Sequence, residues 1–191
     1  MERLYAPPLR LGARQHARLL ANGVPTRAIR IRDPRPADEP AWRRLWAGYL
    51  AFYETDISED VTSATWRRLL QPSSQMFGRL AEWQGAVAGF TVCVLHPGSW
   101  ALSPACYLED LFVDPGVRGQ GIGRALIEDL LHTARKRRWS PVYWHTRQSN
   151  QTARRLYDKF AEADDFVRYR IFLPSVKRKR RRMAAGASRR V

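Results

Sequence analysis

Residues 113–131 read VDPGVRGQGIGRALIEDLL. They follow an apolar run ending at Val113 and lead into Leu126, Ile127, Leu130, Leu131 and Ala134, which fall on one helix face. A strand, a glycine-rich turn and a helix are expected in that order. The turn, Arg118-Gly119-Gln120-Gly121-Ile122-Gly123-Arg124, combines bare backbone with two fixed cations. The first N–H groups of a helix lack intrahelical acceptors, and glycine lets a ligand approach them closely. Such a turn suits an anion. The dinucleotide fingerprint fails, because Gly119 and Gly121 would need a third glycine where Arg124 stands, and the Gly-Lys-Ser/Thr of a P-loop is absent. What remains is Arg118, Gly121 and Gly123 in an Arg/Gln-x-x-Gly-x-Gly/Ala spacing, a loop that can wrap a pyrophosphate without a metal. A helix start with spare glycines is the plainer reading of the same residues.

Outward from this stretch, the elements alternate. Ala28 to Ile31 is a short strand candidate. A helix begins at Asp38, a capping residue, with Pro40 in its first turn and Trp42, Leu45, Trp46, Tyr49 and Phe52 on one face. A shorter helix is expected from Ser63 to Leu70. MFGRLAEWQGAVAGFTVCVL gives two apolar runs about a Gln84-Gly85 turn, which reads as a hairpin, and residues 96–105, with Pro97, Gly98 and Pro104, read as a loop. CYLEDLFV is a strand, the glycine turn and its helix follow, and Arg135 to Arg138 with Pro141 close that helix. VYWHT is another strand, Asn150 caps a short helix bearing Ala153, Leu156, Tyr157 and Phe160, and FVRYRIFL alternates as a closing strand. The pattern is α/β, with helices on both faces of a mixed sheet.

Charge divides the chain further. The 191 residues carry a net charge of +15, yet residues 1–27 hold five Lys/Arg against one acid, and residues 174–191 hold eight and none. The remaining 20 basic and 17 acidic side chains are nearly balanced. Three regions are expected: a basic, flexible extension over 1–27, one domain over 28–173 and a disordered basic tail over 174–191. The extension suits equally an organellar presequence or a start codon placed too early. Cys93 and Cys106 sit in apolar surroundings and give neither a disulfide framework nor a metal spacing, so core filling in a reducing compartment is expected. The longest apolar run, Ala86 to Leu95, is about half the ~20 residues of a spanning helix, and no apolar secretory segment precedes it. A soluble, cytoplasmic protein with no membrane contact is the expectation.

YLEDLFVDPGVRGQGIGRALIEDLL resembles the acetyl-CoA-binding motif of the GNAT superfamily of N-acetyltransferases, and NQTARRLYDKF resembles the Asn-x-x-Ala-x-x-Leu-Tyr stretch that follows it. The resemblance spans about residues 28 to 173 and is nearest to the histone-and-other-protein and spermidine/spermine acetyltransferases. One departure is Asp165-Phe166 where many relatives have Gly-Phe. The resemblance implies a mostly antiparallel sheet with splayed middle strands, acetyl-CoA as donor and no metal. It places the pyrophosphate on the N–H groups of Arg118, Gly119, Gln120, Gly121, Ile122, Gly123 and Arg124, and the pantetheine arm on the backbone of Phe112 and Val113, whose N–H groups would also stabilise the oxyanion. Glu109 matches a base and Tyr157 a general acid in direct attack within a ternary complex. Asp110 is the lesser candidate for the base, since neighbours on a strand face opposite ways. Asn150 is either an N-cap alone or also a partner of the pantetheine amides. His132 and His145 have no partner spacing and read as structural.

The acceptor site implied by the resemblance lies between the first two helices and the splayed sheet, where Tyr49, Tyr53, Glu54, Asp56, Glu59 and Asp60 cluster, with Asp110 beside them. Aromatic and acidic groups together favour a small cationic amine, such as a polyamine or lysine-like amine, or a basic peptide. A homodimer is also expected from the resemblance. The competing reading is a nucleic-acid-associated or scaffold protein, with KRKRRR in the tail supplying salt-sensitive phosphate contacts.

Overall fold

The computed structural model describes residues 28–173. The expectations for 1–27 and 174–191, including the polyanion contact of the tail, fall outside the described residues. Along the chain run β1 (Arg30–Arg32), α1 (Glu39–Phe52), α2 (Glu59–Leu70), β2 (Met76–Trp83), β3 (Ala86–Gly98), β4 (Ala101–Val113), α3 (Ile122–Arg137), β5 (Val142–Trp144) and α4 (Gln151–Tyr157). The five strands lie in the order β1-β2-β3-β4-β5. All neighbours are antiparallel except β4 and β5, which α3 connects as a parallel pair. This is the α/β arrangement with a mixed, mostly antiparallel sheet that the sequence led one to expect.

α1 and α2 cover one face of the sheet. Trp42, Leu45 and Trp46 of α1 and Trp66 and Leu69 of α2 pack with Leu80, Phe90, Val92 and Phe112. Trp42 stacks on Trp46 at 5.2 Å and meets Trp66 at 5.0 Å, so the predicted stripe is the core. α3 covers the other face through Ile122 and Leu126, against Ala81, Trp83 and Ala88, and through Leu130, against Cys93, Cys106 and Leu108. The two cysteines are free and fully buried.

Four local expectations change. α2 begins at Glu59, not Ser63, because the Ser58 hydroxyl accepts from the Val61 N–H and Glu59 and Asp60 occupy the first turn. Asp38 does not cap α1 with its side chain. Its carboxylate accepts from the Arg32 guanidinium at 2.6 and 2.7 Å and from the Arg35 N–H, pinning β1 to the start of α1. Residues 96–105 are not a loop: β3 and β4 continue as a ribbon with His96 opposite Ala105. The prolines fit because β2 pairs only as far as Val94 and β5 only from Cys106, so the ribbon's outer edges need no donors there. Finally, FVRYRIFL forms no strand. Phe166, Tyr169, Ile171 and Phe172 are exposed, and no described edge pairs with them.

A bulge near the end of β4 shapes the site. Val92 faces Asp110 and Cys93 faces Leu108, so Glu109 is the extra residue. Its effect is visible in the hydrogen bonds: the Cys106 N–H reaches Pro141 on the β5 side, whereas the Asp114 N–H reaches Ala88 on the β3 side. In a regular strand two residues eight apart would address the same edge. β5 pairs only with Cys106, Tyr107 and Leu108, so β4 beyond the bulge has one open edge.

Candidate active site

The turn between β4 and α3 is built as the glycines suggested. Gly119 has φ +80° and Gly121 φ +87°, both left-handed conformations that glycine adopts without strain. Gly121 is the N-cap of α3, and no side chain caps it. Among the described residues no hydrogen-bond partner is found for the N–H groups from Gly119 to Arg124, and the first bonded donor of the helix is Ala125, to Gly121. At the N-terminus of a helix of this length these donors add to the positive end of the dipole. Gly123 serves a different purpose. A Cβ there would lie 3.2 Å from Leu156 Cδ2, so its absence lets α4 dock against the start of α3.

That docking encloses a cavity of about 480 Å3 between α1, β4, α3 and α4. Tyr49 lines it from α1, Tyr53 from the residue that follows α1, Phe112 and Val113 from β4, and Tyr157 and the N-cap Asn150 from α4. Arg118, Gly119, Gly121, Ile122, Gly123 and Arg124 line it from the turn and the start of α3. Gln120 belongs to the turn but not to the wall. By alternation from Asp114, it is Val113 and Leu111 that turn their backbone groups to the open edge, whereas Phe112 turns its own toward β3. Phe112 therefore contributes its ring and Val113 its backbone. The Val113 carbonyl accepts from Arg118 Nε at 3.1 Å, and the same guanidinium lies 5.4 Å above the Phe112 ring.

Asn150 does cap α4: its Oδ1 accepts from the Ala153 N–H at 3.3 Å and its amide donates to Thr146 at 3.1 Å. Tyr157 stands against Trp144 at 5.5 Å, and burial, followed by neighbouring Tyr53, pushes its phenol up to about 12. Glu109, at the bulge, is exposed and outside the cavity wall. Asp110 is buried and also outside the wall, but its Oδ1 accepts from the Tyr49 hydroxyl. Glu54 and Asp56 are exposed and do not line the cavity, and Glu59 is held by Arg43 at 2.8 Å and by Ser63 at 2.7 Å. His145 lies 3.3 Å from the Tyr107 hydroxyl and edge-on to the Tyr143 ring at 5.8 Å.

Sequence reasoning missed Arg155 and Lys159, which line the cavity beside Arg118 and Arg124. Their spacing of four within ARRLYDK was the available signal. It also missed the Tyr49–Asp110 bond, for which no local pattern exists. Among the described residues no cluster of His, Cys, Asp and Glu could hold a metal ion, and no helix is long and apolar enough to cross a membrane.

A cleft with a row of free amides, four cations and an open strand edge fits a long, phosphorylated ligand. Comparison with known proteins points the same way. The profile of the Acetyltransferase (GNAT) family matches residues 39–161. The chain is 34% identical, over 74% of its length and 89% of the relative's, to a D-amino-acid N-acetyltransferase of Saccharomyces cerevisiae. Its fold is similar to that of a ribosomal-protein-alanine N-acetyltransferase from Brucella melitensis biovar Abortus 2308, at 26% identity and TM-score 0.66, covering 76% of this chain and 100% of that one. An aminoglycoside acetyltransferase from an uncultured soil metagenomic sample shares the fold at 19% identity and TM-score 0.64, covering 77% and 97%.

Proposed function

The chain belongs to the GNAT acetyltransferase family, and from that premise we propose that it carries the acetyl group of acetyl-CoA to the primary amine of a small amino acid by direct attack. Members of this family use acetyl-CoA as donor. The residues here fit it: the N–H groups of Gly119 to Arg124 would hold the pyrophosphate, and Val113 and Leu111 the amides of the pantetheine arm. Arg118, Arg124, Arg155 and Lys159 line the same cavity and would set positive charge against its phosphates.

An amino acid is favoured over a polyamine for two reasons. The acidic residues that suggested a polycation do not face the cavity, and the relative at 34% identity is a D-amino-acid N-acetyltransferase. The α-amino group of an amino acid is mostly protonated at neutral pH, so the site must remove a proton before attack. Glu109, exposed at the bulge beyond the cavity wall, takes it through water. The Val113 N–H on the open edge of β4 stabilises the oxyanion. Tyr157 gives its proton to the leaving sulfur; burial keeps the phenol protonated until that negative charge develops. A homodimer is retained in this proposal.

The observation that carries this reading is the meeting, in one cavity, of unpartnered N–H groups, an open strand edge and Tyr157. Thiol release from acetyl-CoA, measured with D- and L-amino acids and with spermidine, tests it. Turnover with amino acids is expected, and Tyr157→Phe lowers kcat about 100-fold with acetyl-CoA affinity unchanged. Release with spermidine alone would restore the polyamine reading, and release with no amine would refute the activity.

A further inference from the structure

The reaction proposed above removes two protons from the acceptor nitrogen: one as ammonium becomes amine, and one as the attacking nitrogen becomes an amide. Glu109 accounts for the first. The neighbouring carboxylate has no assigned role, although its setting is unusual. Asp110 is 9% exposed and makes no salt bridge among the described residues. A buried carboxylate without a cation is costly unless it is hydrogen-bonded, and its one side-chain donor is the Tyr49 hydroxyl. The titratable groups around it are Tyr49 from α1, Glu109 and Tyr107 from β4 and Cys93 from β3, with Tyr53 beyond Tyr49. None is a cation.

Tyr49 connects this carboxylate to the cavity. Its ring is held between Trp46 at 5.3 Å, Tyr53 at 5.0 Å and Phe112 at 6.3 Å, and it lines the cavity that Asp110 does not reach. Its hydroxyl hydrogen is committed to Asp110, so its lone pairs are left to accept.

We propose that Tyr49 and Asp110 form the second proton-accepting unit of the site, the Tyr49 hydroxyl taking the later proton from the acceptor nitrogen as it passes its own to the Asp110 carboxylate. The N–H bond breaks and leaves its electron pair on nitrogen, a new phenol O–H forms, the old one breaks and a carboxyl O–H forms. No charge remains on Tyr49. Afterwards the carboxyl returns its proton to water by the reverse route. Burial, opposed by the Tyr49 bond and aided by the charge of Glu109, places Asp110 at about 6. It is then ionised at neutral pH and a better proton acceptor than an ordinary aspartate. The inference rests on the acetyltransferase reading.

Asp110→Asn and Tyr49→Phe in the full chain test it, with D-leucine or spermidine, whichever turns over faster, as acceptor. Asparagine can still accept from Tyr49 but cannot take up a proton. The expected result is an about 100-fold lower kcat, acetyl-CoA affinity within about twofold by calorimetry, and loss of the acid limb near pH 6 from the rate profile. Wild-type kcat with the limb intact would overturn the proposal. Should Asp110→Asn not fold, Tyr49→Phe decides by the same fall or retention of kcat. Carboxyl 13C NMR of the wild-type chain is independent of turnover: a resonance titrating near 6 that moves upward in Tyr49→Phe supports the pair, and one in the ordinary aspartate range refutes it. Failure of the wild-type chain to acetylate any amine would sink the function and leave that titration readable.

Discussion

Two irregularities bracket the open stretch of β4, and they arise differently. At one end, the turn of Gly119 and Gly121 relies on residues chosen for their backbone, and its φ values are forbidden to almost anything else. At the other, the bulge at Glu109 uses no special residue. It arises from a conflict between faces: Cys106 and Leu108 pack toward α3, while Asp110 and Phe112 point toward α1. Both demands are met only if one residue drops out of register. The turn leaves a row of N–H donors unpartnered, and the bulge turns over the last residues of the strand.

Deleting Glu109 would break this comparison most severely. Every other pair keeps its partner, since Val92 already faces Asp110 and Cys93 faces Leu108. Asp114 would then stand seven residues from Cys106, so the two still address opposite edges and Val113 keeps its open one. Circular dichroism should therefore show a folded protein and calorimetry an unchanged coenzyme A affinity, while acetyl transfer falls at least about 100-fold with the loss of the carboxylate. Glu109→Gln should match it in both respects, and transfer retained in either variant would remove Glu109 as the base. Gly121→Val comes next: a β-branched residue at φ +87° is strained by roughly 1–3 kcal/mol, and calorimetry should find acetyl-CoA binding weakened at least about tenfold.

The smallest effect concerns stability. Asp110 titrates near 6 in the folded chain, above its ordinary 3.8, so protonation favours the native state. That contribution is complete below pH about 4 and is lost as pH rises through 6. Asp110→Asn should accordingly raise the unfolding free energy by roughly 1–3 kcal/mol at pH 8, with the gain fading toward pH 4. Thermal melts across that range would check it, and a variant less stable at pH 8 would contradict the sign.

Legibility in the sequence divides along the same line. The Trp42, Leu45 and Trp46 stripe, the Gln84-Gly85 hairpin and the glycine turn are local patterns, and each stands where it was expected. The ribbon through Pro97 and Pro104 was not legible, because those prolines are tolerated only where neighbouring strands have already ended. FVRYRIFL misled for the opposite reason: alternation describes a strand's faces but does not supply a partner edge. The Tyr49–Asp110 bond joins residues 61 apart, and nothing local to either residue records it.

Arg118 gives the cleft a latch. Its Nε–H already occupies one lone pair of the Val113 carbonyl, so an amide that pairs there competes with a cation for that acceptor. A guanidinium freed in that way lines the same cleft as the unpaired N–H groups, where an arriving phosphate would meet it. Docking one end of a long ligand thus readies the seat for the other.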